Sequence, residues 1–159
     1  MSVRTLTQLA ILLAITLAFQ MLGLPQPITG PAVNCMLIIS ALTIGPMGAA
    51  LIGALTPVIA FMRGILAPPL GPAIPFIVVA NWVYIFAFAG LKRVNMYLGL
   101  LVGAVLKLLI LAGAVQFFIA VPPAVAKALQ FPQLITALTG GLIAFLVWSA
   151  LQKTGFHKN

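Results

Sequence analysis

The chain has no aspartate and no glutamate among its 159 residues. It therefore supplies no carboxylate proton relay, no carboxylate acid/base pair and no carboxylate-held Mg²⁺ site. One cysteine, Cys35, excludes an internal disulfide, and one histidine, His157, stands near the C-terminal end. Neither belongs to a ligand cluster, so no metal is expected. No Walker loop occurs, which leaves the chain without a motif for ATP hydrolysis. Ser40 and Ser149 have no lysine or histidine at catalytic spacing and read as ordinary helix serines. The expectation is a protein that is not an enzyme and carries no cofactor.

What is present is apolar. Hydrophobic residues make up 64% of the chain and charged residues 5%, with a mean hydropathy of +1.27. Soluble domains are nearer half apolar and a quarter charged. A soluble fold of this size cannot hide so much apolar surface, so the solvent is lipid. The eight Lys and Arg residues give a net charge of +8. All but Lys107 stand singly or in pairs at the ends of apolar runs, and they form no patch for nucleic acid. The length suits one transmembrane domain, 1–159. Residues 1–23 show no convincing cleavage site and are followed by further apolar runs, so they read as a retained helix.

Six spans are expected: 6–24, 32–44, 47–62, 74–91, 96–121 and 131–151. The second and third are short and are alternatively one helix. Charge decides between these readings. With six spans and the N-terminus inside, Arg4, Lys92, Arg93, Lys153 and Lys158 are cytoplasmic, and Arg63 and Lys127 are outside. Fusing the short spans leaves Arg4, Arg63 and Lys127 inside and the other four outside. The positive-inside rule prefers the first arrangement, an all-α membrane protein of six transmembrane helices with both termini cytoplasmic. Gly45-Pro46 also marks a turn between the short spans. Ten of the twelve prolines fall in or beside the three connections placed outside, 25–31, 64–75 and 122–132. Prolines stiffen such loops, which suggests a shaped external mouth.

Lys107 is the anomaly. It stands mid-span, roughly 15 Å deep at 1.5 Å per residue, where a lysine costs at least about 2.5–3.5 kcal/mol. No side-chain carboxylate exists to pair with it. Three outcomes are open: a neutral amine, a side chain that snorkels to the headgroups, or a partner from outside the chain, such as an anionic substrate. Gly99, Gly103 and Lys107 recur at four-residue intervals, so they share a stripe that faces the bundle. Replacing Lys107 with methionine is expected to stabilise the empty protein slightly and to weaken anion binding. Asn81, Trp82 and Tyr84 form a second polar cluster, and Asn34, Arg63 and Gln116 lie in or near the outer half. Packing is the plain reading of Trp82 and Tyr84, and Arg63 either anchors its helix or guards an entrance. Together with Lys107 these residues are the candidate substrate site. Ala10, Ala14 and Ala18 form a stripe of small residues suited to close packing, within the bundle or against a partner.

The chain resembles the substrate-binding S components of energy-coupling factor (ECF) vitamin transporters. The resemblance runs the full length and centres on GPMGAALIGALTPVIAFMRG, 45–64, and PPLGPAIPFIVVANWVY, 68–84. The alanine stripe resembles the helix-one motif by which that family docks to its coupling subunit. The resemblance implies a multi-pass protein of a prokaryotic cell (inner) membrane that captures a vitamin or related small nutrient from outside. It implies as partners a transmembrane coupling (T) subunit and two cytoplasmic ATPase subunits. It suggests pantothenate as the ligand, held by Lys107, and makes the 23–31 loop a lid. Two other classes remain open: a stand-alone oligomeric transporter or channel, and a ligand-free assembly subunit.

Overall fold

The computed structural model describes residues 2–153; His157 and Lys158 lie outside the described residues. All regular structure among them is helical. Ser2 caps α1 (Val3–Met21), its hydroxyl accepting from the Thr5 N–H at 3.2 Å. Then follow α2 (Gln26–Thr43), α3 (Gly45–Met62), a 3₁₀ turn (Pro68–Ala73) and α4 (Ile74–Leu91). After them come α5 (Met96–Gly113), a π turn (Ala114–Phe118), a short α6 (Pro123–Ala128) and α7 (Phe131–Lys153). Asn95 caps α5, its Oδ1 accepting from the N–H groups of Tyr97 and Leu98.

Spans two and three are separate helices. Gly45 turns the chain at φ 83°, a left-handed conformation that suits glycine, and Pro46 then sits in the first turn of α3. The expected loop at 25–31 is largely absent, because α2 starts at Gln26 and takes in Pro27 and Pro31. Pro27 lies in the first turn, where its missing N–H would be unpaired in any case. The proposed lid thus shrinks to the few residues between α1 and α2. The other two proline-rich connections also hold helical turns, the 3₁₀ turn and α6.

Five stretches are long and apolar enough to cross a membrane: α1, α3, α4 with its 3₁₀ turn, α5 with its π turn, and α6 with α7. Helix α2 is as long as α3, 18 residues, but carries Gln26 and Asn34. It is also the helix with the most buried residues, packed against α1, α3, α4 and α7. Large apolar side chains such as Ile11, Leu51, Phe86, Leu109 and Leu146 face outward. So much exposed apolar surface suits lipid contact and is foreign to a water-solvated monomer. The protein is a multi-pass helical membrane protein by length, composition and surface.

One half of the bundle is solid. Leu37, Ile38, Ile52, Tyr84, Ile85, Phe88, Leu100 and Ala104 fill it, nearly or fully inaccessible. Helices α4 and α5 approach closely here because Gly103 faces the backbone of α4: a Cβ at that position would lie 2.8 Å from the Tyr84 carbonyl oxygen. Gly99 faces Phe88 in the same way, so the stripe read from the sequence does point inward. Between α4 and α5, partial burial and then the neighbouring Arg93 hold the Lys92 amine below its ordinary lysine value.

Candidate functional site

The other half of the bundle holds a cavity beside a smaller core of Ala73, Ala80, Leu111 and Leu129. A cavity of about 260 Å³ lies under the α1–α2, α3–α4 and α5–α7 connections. Gln20, Gln26 and Thr29 line it from the first connection, Leu66 and Leu70 from the second, and Ala128, Leu129 and Gln133 from the third. Thr56, Asn81, Asn34 and Lys107 line it further in. All three connections singled out by their prolines therefore contribute to its wall.

Lys107 is 4% exposed, so it does not snorkel. Its amine donates to Asn34 Oδ1 at 2.7 Å and to Asn81 Oδ1 at 2.8 Å. Each amide is oriented from behind. Asn34 Nδ2 donates to the Gly30 carbonyl at 2.9 Å, and Asn81 Nδ2 donates to the Gly53 carbonyl at 2.9 Å. An amide nitrogen committed to a carbonyl leaves only its oxygen to turn toward the lysine. The lysine thus has partners inside the chain, from helices α2 and α4. These partners are dipoles, which orient an ammonium but add no negative charge to neutralise it. The Tyr84 ring lies 5.3 Å from the amine, within cation–π range. Thr136 stands beside Asn34, with Nδ2 to Oγ1 at 3.5 Å.

The sequence candidates divide cleanly. Lys107, Asn81 and Asn34 are brought together at the cavity. Tyr84 supports the amine through its ring and is otherwise buried core, its hydroxyl donating to the Ala137 carbonyl at 2.9 Å. Trp82 does not line this cavity. It is 41% exposed on the bundle's outer surface and donates from Nε1 to the Ala50 carbonyl. The reason is helical geometry: one residue on from Asn81 rotates a side chain about 100° away. Arg63 closes the C-terminal end of α3 as an exposed residue, and Gln116 is exposed in the π turn; neither lines the cavity. Gln20, Gln26, Thr29, Thr56 and Gln133 line it but were not among the candidates. Gln20 and Gln26 flank the α1–α2 connection and Gln133 follows Pro132, so a polar residue beside a proline-rich outer connection was the available signal.

Ala10, Ala14 and Ala18 lie on the exposed face of α1, while Leu9, Thr16 and Gln20 face the bundle. The stripe therefore takes no part in packing the interior. No cluster of metal-ligating side chains occurs among the described residues. Neither family models, nor characterised proteins, nor solved structures give a match to this chain.

Proposed function

We propose that this chain is the substrate-capture subunit of an ATP-driven ECF-type importer, binding a vitamin or related small anionic nutrient from the extracytoplasmic side. One observation carries the reading: a buried lysine amine lining a cavity, held by two neutral oxygens in a chain without a carboxylate side chain. A carboxylate entering the cavity supplies the charge that the amides do not. The solid half of the bundle beneath the cavity favours capture over conduction. Six alternating passes leave both ends on one face, and the Arg and Lys distribution assigns that face to the cytoplasm. The cavity then opens outward.

The chain has no ATPase motif, so energy comes from other subunits: a transmembrane coupling subunit and two cytoplasmic ATPases. The exposed alanine stripe of α1 is the surface offered to the coupling subunit. Pantothenate is the first ligand to try. Native mass spectrometry of the purified chain tests the reading: a retained small carboxylate is expected. A chain that retains none, binds no pantothenate and conducts small molecules in liposomes without partners is a channel, and the proposal fails.

A further inference from the structure

Gln20 is the buried polar group that nothing in the bundle uses. It lies on the last turn of α1, 9% exposed, and its Oε1 is shut from solvent with no hydrogen-bond partner among the described residues. The other buried polar side chains are all paired. Thr16, Ser40 and Thr56 donate to carbonyls one turn back. Thr136 donates to Gln133, and the two asparagines bind Lys107 and the backbone. An orphaned amide oxygen is costly in a folded interior, and native structures hold few. Gln20 also lines the cavity that ends on Lys107.

The geometry points to the Gln20 amide, once its side chain turns Oε1 toward the cavity, as the acceptor for a hydroxyl or N–H group on the ligand, so that the cavity selects small carboxylates that carry a hydrogen-bond donor away from the acid. This rests on the reading that Lys107 receives an anion. Apolar side chains, among them Val33, Leu66, Leu70, Ile77 and Leu129, share the cavity wall with Gln26, Thr29, Thr56 and Gln133, whose polar atoms, unlike Gln20 Oε1, are not orphaned. The fitting ligand therefore has an acid for Lys107, a partly apolar body and a donor for Gln20. The volume, about 260 Å³, falls under the range that holds drug-sized molecules, which restricts the class to small metabolites. A plain acid of the same length leaves Gln20 as unpaired as before, whereas a donor-bearing acid satisfies it. A site built around a buried polar group discriminates more sharply by that group than by an extra methylene.

The test is calorimetric titration of the full chain in detergent with linear ω-hydroxy acids, from hydroxybutyrate to hydroxyoctanoate. Each is compared with its unsubstituted acid and its ω-methoxy acid. The best hydroxy acid is expected to bind at least about tenfold more tightly than either counterpart. Gln20→Leu is expected to bring the three classes to one affinity, and Gln20→Met serves if the leucine variant does not fold. Equal binding of hydroxy and methoxy acids overturns the inference without any variant, since a methoxy oxygen cannot donate. A hydroxyl preference that survives Gln20→Leu overturns it as well. If carboxylates bind through Lys107 without preference, this inference alone falls. If no carboxylate binds the wild-type chain, the anion reading falls with it.

Discussion

The Asn81 amide oxygen accepts from Lys107 at 2.8 Å, and it cannot turn away without breaking the 2.9 Å bond from Nδ2 to the Gly53 carbonyl. Substitution at Asn81 therefore disturbs two buried groups at once. Asn81→Leu leaves the Lys107 amine with one oxygen partner and takes from the Gly53 carbonyl the Asn81 donor, where Pro57, four residues on, has no N–H to offer. The expected loss of stability is about 2–4 kcal/mol, read as a lowered thermal midpoint in detergent. A midpoint within error of the wild type would show that the network does not hold the bundle.

The same network changes what Lys107→Met does. Sequence alone suggested a slight gain in stability, because methionine removes a cation from lipid depth. With two amide oxygens fixed toward the amine, methionine instead leaves both unpaired, at about 1–3 kcal/mol each. The single variant is expected to be less stable than wild type. Replacing Lys107, Asn34 and Asn81 together with Met, Leu and Leu removes the amine and both amides and is expected to recover part of the loss, with the Gly53 carbonyl still lacking the Asn81 donor. Thermal melts of the single and triple variants decide this, and both variants are expected to lose anion binding. A triple variant no more stable than the single one contradicts the argument.

Asn34→Asp separates charge from geometry. The Gly30 carbonyl that Asn34 Nδ2 contacts lies one helical turn back, so losing that bond costs little. The new carboxylate sits on the lysine and supplies the charge that the chain otherwise lacks. The empty protein is expected to melt higher, and an anionic ligand such as pantothenate to bind at least about tenfold more weakly. An unchanged affinity would mean that the ligand does not meet Lys107.

The sequence showed that Lys107 is unusual, but it could not show which residues it meets. Mid-span lysine in a chain without carboxylates is visible by inspection, and its inward face follows from Gly103 and Gly99, four and eight residues back. Its contacts with Asn34 and Asn81 cross 73 and 26 residues of sequence, and depend on how α2 and α4 pack. The same limit explains Trp82: adjacency to Asn81 grouped them in sequence, while the helical rotation per residue parts them in space. The turn at Gly45 and the all-helical, multi-pass character were legible because both depend on local chemistry and composition. The start of α2 was misjudged because prolines mark a helix's first turn as readily as a loop. Gln20 carried little signal, since a glutamine near a helix end is usually solvated.

Two glycines test the packing from opposite sides. A Cβ on Gly140 would press against the Pro31 carbonyl and lie 2.8 Å from the Asn34 Cβ, whereas nothing lies within 4 Å of one on Gly90. Gly140→Ala is expected to cost about 1–3 kcal/mol by driving α7 from α2. It is also expected to weaken anion binding by moving Asn34. Gly90→Ala is expected to be neutral or to stabilise by up to about 1 kcal/mol. Equal melting of the two variants would contradict the close approach of α2 and α7.

Ala14 distinguishes capture from transport. Its place on the exposed face of α1 means that tryptophan there meets lipid or a partner and leaves the core untouched. Ala14→Trp is expected to melt within about 0.5 kcal/mol of wild type, as outward substitutions generally do, and to bind ligand with unchanged affinity. If the stripe docks against a helix of a coupling subunit, the indole keeps the two backbones apart, and uptake in cells expressing the whole importer is lost. Co-purification with the coupling subunit and the ATPases is expected to fail in parallel. Uptake at the wild-type rate would assign the stripe to lipid contact alone and move the docking surface elsewhere on the bundle.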